Sequence, residues 1–134
     1  AAMAPAAADT IATHLTDWGR TPSDYDLIVT GDLGRFGVQM LHELLAERGV
    51  DLTGRHLDCG MTVFAPEQDV QCGASGCGCS AIVLSAHLLG KLEAGDYRRI
   101  LFVATGALMS PATNMQGDTI PCIAHGVILE RSAT

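Results

Sequence analysis

Leu27-Ile28-Val29-Thr30 and Arg99-Ile100-Leu101-Phe102-Val103-Ala104 are short runs rich in β-branched and aliphatic residues, with none of the polar alternation of a half-exposed strand. A strand without a polar face has to be covered on both sides, which places it in a sheet flanked by helices. No other feature narrows the fold as much. It excludes a sheet open to water and asks the rest of the chain for amphipathic helices.

The rest of the chain supplies them. Met3, Ala7, Ile11, Leu15 and Trp18 recur at nearly helical spacing and predict one apolar stripe on a first helix. Thr21-Pro22-Ser23-Asp24 carries a capping residue, a proline at the first helical position and an acid at the third, which predicts one tight turn. Gly31-Asp32-Leu33-Gly34 ends the first strand. A second helix follows, with Val38, Leu41, Leu44 and Leu45 inward, Gln39, Glu43 and Glu47 outward, and Gly49 as its stop. A weaker extended region covers Arg55 to Phe64, interrupted by Cys59-Gly60. Cys79 to Ala94 reads as a third helix, apolar nearly all round and therefore expected inside the molecule. The strand from Arg99 to Ala104 is joined by a long loop, containing Met109-Ser110-Pro111 and Pro121, to a last strand over Cys122 to Glu130. Strands alternating with helices predict an α/β fold with a mostly parallel sheet. The last two strands, with no helix between them, are expected to pair antiparallel.

Residues 1–134 form one domain of ordinary size, large enough to bury a core without staples. The apolar opening Ala1-Ala2-Met3-Ala4-Pro5 reads as the start of a piece cut from a longer chain. A net charge of −7 and no basic cluster wider than Arg98-Arg99 argue against a phosphate-neutralising nucleic-acid interface. No apolar run approaches the ~20 residues of a membrane span, and no secretory signal is visible. Five cysteines without an export signal read as reduced thiols.

Chemistry concentrates in Cys72-Gly73-Ala74-Ser75-Gly76-Cys77-Gly78-Cys79-Ser80-Ala81. The cysteines are too crowded for the paired spacing of a zinc site, and C-x-C makes a strained redox bridge. Small thiols packed against glycines are the plainer reading. Cys79, at the entry to the third helix, would feel the helix dipole, which lowers a thiol pKa, and His125 on the last strand offers a base. His14, His42 and His56 sit at polar or ambiguous positions and read as solvated. Gly73, Gly76 and Gly78 also free backbone amides ahead of a helix, an anion-binding arrangement that Gly31-Asp32-Leu33-Gly34 repeats.

The ordered set Tyr25-Asp26-Leu27-Ile28-Val29-Thr30-Gly31-Asp32-Leu33, Asp58-Cys59-Gly60, Ser75-Gly76-Cys77-Gly78-Cys79-Ser80-Ala81, Val103 through Pro111 and Ile120 through Val127 resembles the stage V sporulation protein AD family over essentially the whole chain. The resemblance implies the C-terminal half of a thiolase-like fold built from two similar halves, a βαβαβαββ-type mixed sheet flanked by helices with its last two strands antiparallel. It implies binding of dipicolinic acid and a part in its uptake into the developing spore. The partners it implies are other proteins of the same sporulation operon, membrane proteins among them, with peripheral association at the inner spore membrane. Condensing enzymes of this fold carry a His and an Asn at two strand-to-helix turns, positions that fall on Gly31 and Gly78 here. Neither glycine can transfer a proton or polarise a carbonyl, so the resemblance implies a scaffold that binds rather than catalyses.

A flat dicarboxylate needs amides, hydroxyls or cations. Gly31, Asp32, Gly34, Gly76, Gly78, Cys79, Ser80, Ser110 and His125 are the expected ligand-binding residues. No resident cofactor or metal is expected, calcium entering only as the dipicolinate complex, where Asp32 could meet it. Asp32 reads equally well as a local turn cap. The competing expectations are a residual acyl-transfer or thioesterase-like activity using Cys79 and His125, and a docking module for membrane partners. A face bared by separation from the other half is expected to pair two copies as a homodimer.

Overall fold

A computed structural model describes residues 2–65, 67–73, 76–108 and 110–132. Ala74, Ser75 and Met109, all within motifs quoted above, lie outside the described residues. In chain order the elements are α1 (Ala4–Asp17), a 3-10 turn (Pro22–Asp24), β1 (Leu27–Thr30), α2 (Gly34–Glu47), β2 (His56–Asp58) and α3 (Cys59–Thr62). There follow α4 (Cys79–Val83), a π-helical segment (Leu84–Leu88), α5 (Leu89–Ala94), β3 (Arg99–Ala107), α6 (Pro111–Gln116) and β4 (Cys122–Glu130).

One sheet holds all four strands in the order β2-β1-β3-β4. β1 lies parallel to β2 and β3, and β3 pairs antiparallel with β4, as the missing crossover helix requires. The unbroken apolar runs are explained by the two layers that cover them. Ile28, Leu101 and Val103 pack with Ala7, Ile11 and Leu15 of α1 and Leu41 and Leu45 of α2. Val29, Ile100 and Phe102 point the other way, against Cys59 and against Val83, Leu88 and Leu92 of the α4–α5 run. Successive side chains of a strand leave by opposite faces, so every residue of such a strand meets a helix layer. The tight turn at Thr21 forms with its capping box complete, Asp24 accepting from the Thr21 amide at 2.8 Å. Gly49 adopts φ +74° at the end of α2, the left-handed stop that its position predicts.

Several expectations need correction. The extended region from Arg55 to Phe64 is strand only over His56–Asp58, and Cys59-Gly60 opens a helical turn instead of interrupting a strand. β3 runs on to Ala107 because β4 offers it partners beyond the end of β1. The loop after it contains α6, with Pro111 at its first position and Gly117 at φ +73° behind it. The helix over Cys79 to Ala94 is not enclosed: Ile82 is 59% and Leu89 40% exposed, so this chain covers only one of its faces. Trp18 is likewise exposed, just beyond the buried part of the α1 stripe. His14, His42 and His56 are half-buried and hydrogen-bonded, His14 to the Tyr25 hydroxyl and the other two to each other.

Candidate functional site

At the carboxyl end of β1 three segments interlock through glycines. A Cβ on Gly31 would stand 2.5 Å from Thr105 Oγ1 and 3.0 Å from the Thr105 nitrogen. Gly34, at φ +69°, would place its Cβ 2.6 Å from the Cys72 carbonyl oxygen, to which the Arg35 amide donates at 3.0 Å. Gly73, at φ +102°, presses on Gly60 in the same way, with 2.5 Å left to its carbonyl oxygen. Backbone meets backbone here because no side chain intervenes. Gly78 differs, since a Cβ there would meet only the tip of Ile82, at 4.0 Å.

Two carboxylates fasten the junction. Asp32 accepts from the Gly76 amide at 3.0 Å and from the Thr105 hydroxyl at 3.2 Å, while its own amide donates to that hydroxyl at 3.3 Å. It therefore clamps distant segments together, where a local turn cap would bond only its own loop. Asp58, buried at 4% exposure, accepts from Thr30 Oγ1 at 2.7 Å, from the Leu33 amide at 3.0 Å and from the Gly34 amide at 3.1 Å. Burial pushes its carboxyl above the usual range, against the pull of donors from Thr30, Leu33, Gly34 and Met61. In this structure the Leu33, Gly34 and Gly76 amides are thus held by the protein's own acids, and the Gly73 amide by the Val70 carbonyl.

The surroundings of Cys79 work against a dipole-lowered thiol. Burial pushes its thiol up, and the Asp32 and Asp58 carboxylates push it further. Cys59 beside it is raised to about 12 by burial, then by Asp58, Cys79 and Asp32. Cys72 and Cys77 are exposed, so packing against glycines describes Cys79 and not its two neighbours.

Gly31, Asp32, Gly34, Gly76 and Cys79 come together, the Cys79 amide donating to Gly76 at 3.2 Å, and Gly78 and Ser80 flank Cys79 along the chain. His125 stands opposite Ala104 and is exposed. By strand alternation it shares the face of Leu129, which packs toward Val83, Leu88 and Cys79. Ser110 caps α6 by position, half-buried, with no hydroxyl bond to the helix, and no hydrogen bond among the described residues ties it or His125 to the glycine turns. No group of three or more His, Cys, Asp or Glu among the described residues is placed to hold a metal ion.

Sequence reasoning missed three groups. Asp58 was legible only as part of a motif, because its amide partners lie two dozen positions away. Arg35 lines a cleft of about 510 Å³ with Met61, Phe64, Cys72 and Gly73, and among the described residues it has no carboxylate within ion-pair distance. Behind Asp58 runs a chain of side chains: His42 Nε2 to His56 Nδ1 at 2.9 Å, and His56 Nε2 to Thr30 Oγ1 at 2.9 Å. Burial, with His42 nearby, lowers His56 to about 4 and keeps it neutral near pH 7.

Comparison with known proteins adds two findings. The family model described as Stage V sporulation protein AD (SpoVAD) matches residues 1–130. The curated Stage V sporulation protein AD of Bacillus subtilis (strain 168) is 50% identical over 131 residues, covering 98% of this chain and 39% of that protein. The chain therefore spans about two fifths of the length of this relative.

Proposed function

Because the chain belongs to the stage V sporulation protein AD family, we propose that it is part of a non-catalytic protein that binds dipicolinic acid and serves its uptake into the spore. The observation that carries the non-catalytic reading is Gly31. With 2.5 Å between a Cβ and Thr105 Oγ1, the position where condensing enzymes of the thiolase-like fold place a polar helper has no room for one. The raised thiol of Cys79 argues in the same direction, against acyl transfer through Cys79 and His125.

For the ligand, the half-buried Ser80 and Ser110, the exposed His125 and the open space at Gly78 provide hydroxyls, a ring nitrogen and room. Gly31, Asp32, Gly34, Gly76 and Cys79 are the remaining residues of the proposed site. Calcium would enter only with dipicolinate. Calorimetric titration with dipicolinate tests the reading. Saturable binding that Gly78→Phe weakens by about tenfold or more supports it, a steric change of that kind being worth over 1 kcal/mol. Binding unaffected by Gly78→Phe and by His125→Ala would move the ligand elsewhere, and no binding at all would sink the reading.

A second observation favours a role in assembly. Ile82 and Leu89 on the helix and Ile123 and Val127 on β4 are exposed on the same side of the sheet. We propose that this face packs against the rest of a longer thiolase-like chain, whose whole serves peripherally at the inner spore membrane beside membrane proteins of the same operon. No helix among the described residues is long and apolar enough to cross a membrane.

A further inference from the structure

The chain of bonds behind the glycine turn has a single direction. An ionised Asp58 only accepts, so the Thr30 hydroxyl donates to it at 2.7 Å. The Thr30 oxygen then accepts from His56 Nε2–H, which leaves His56 Nδ1 bare, and that nitrogen accepts from His42 Nε2–H. Each link is at hydrogen-bond distance, and the chain runs from half-buried His42, lining a cleft of about 370 Å³, to the buried carboxylate. At its far end Asp58 holds the Leu33 and Gly34 amides at the start of α2.

We infer that Asp58 is a protonation switch for this turn, loaded from solvent through His42, His56 and Thr30, and that its neutralisation loosens its hold on the Leu33 and Gly34 amides and removes a negative charge that opposes an anionic ligand. The step balances with one proton. A solvent proton adds to His42 Nδ1; His42 passes its Nε2 proton to His56 Nδ1. His56 passes its Nε2 proton to Thr30 Oγ1, and Thr30 passes its own to Asp58. Both histidines and the threonine end neutral, with every bond reversed and Asp58 now donating to Thr30. A neutral carboxyl accepts more weakly from amides, and it no longer repels a dicarboxylate.

The groups facing this chain are few. His42 has Asp51 beside it. Around Asp58 stand Asp32 from the turn, Cys59 from α3 and Cys79 from α4, both thiols protonated. No cation stands among them to oppose protonation of Asp58. Arg35 points to solvent at the start of α2.

The coupling to ligand rests on the dipicolinate reading above; the switch itself does not. It is tested without ligand by following the Asp58 carboxyl carbon, the Leu33 and Gly34 amides and the histidine ring nitrogens by NMR between about pH 4 and pH 8. The expected result is one shared midpoint for Asp58 and both amides, with His56 and His42 changing from the Nε2–H to the Nδ1–H tautomer across it. Titration of Asp58 with the His56 tautomer unchanged, or amides that do not follow Asp58, would overturn the inference. Asp58→Asn, which keeps the shape and cannot titrate, should abolish the shift of both amides and both tautomers. Calorimetry with dipicolinate in two buffers of different ionisation enthalpy then reads the coupling: uptake of about one proton per ligand in the natural protein and none in Asp58→Asn. Binding without proton uptake overturns the coupling, whereas no binding in either protein defeats the dipicolinate reading and leaves the NMR result to decide the switch.

Discussion

Gly31 and Gly78 look alike in the sequence, each at the entry to a helix, and the structure separates them. Gly31→Ala forces backbone and Thr105 apart and should cost about 1–3 kcal/mol, the usual range for overpacking. Gly78→Ala meets open space and should leave stability nearly unchanged. Denaturant melts of the two variants check this, and equal losses would refute it. The thiols divide in a similar way. Exposed Cys72 and Cys77 should react with a thiol reagent near neutral pH well before Cys59 and Cys79, whose thiols are buried and raised. Preferential labelling of Cys79 would restore it as a nucleophile. His56 carries a pH dependence. Its folded value of about 4 lies below the ordinary 6.5, so the unfolded chain binds more protons between the two and stability falls as pH drops through that window. Between pH 7 and pH 5 the loss should be about 2 kcal/mol. His56→Gln should remove most of that dependence, and a parallel pH profile for the variant would show that His56 does not titrate this way.

At the scale of elements, legibility followed the range of the interaction that builds each one. β1, the capped turn at Thr21, α2 and its Gly49 stop are written in contiguous residues, and they form where expected. α6 carried the same kind of local signal in Ser110-Pro111 and Gly117 but spans only six residues, too few for a periodic stripe. The end of β3 was not legible, because Thr105 to Ala107 are held by Ala124 to Cys122 across the sheet. The site divides along the same line: the glycine turns could be read, whereas the Asp32 clamp onto Gly76 and the Asp58 hold on Leu33 and Gly34 join residues more than twenty positions apart. The α4–α5 helix was misjudged for another reason. Apolar residues all round a helix predict cover on every face, whereas this chain covers one face and leaves Ile82 and Leu89 exposed.

At the scale of the molecule that bared face should act. Ile82, Leu89, Ile123 and Val127 give this chain a tendency to associate at raised concentration. Sedimentation should show a dimer that Ile82→Glu disperses; a monomer at all concentrations would mean the face is tolerated by water. The two layers over the sheet carry the stability. Ile28→Ala empties one layer and should cost about 2–4 kcal/mol, measurable as a lower denaturation midpoint.

The register of the sheet has a mechanical meaning. β1 stops at Thr30 opposite Val103, while β3 and β4 continue together to Ala107 and Cys122. Past Thr105, which Asp32 still holds, the sheet narrows to a two-stranded ribbon, the prow of a four-stranded hull. A ribbon of two strands twists more than a wide sheet and is marginal when unsupported. Its backbone should therefore unzip from the tip inward while the hull stays shut, so that deuterium enters Gly106 and Ile123 long before Leu101 and Ile128.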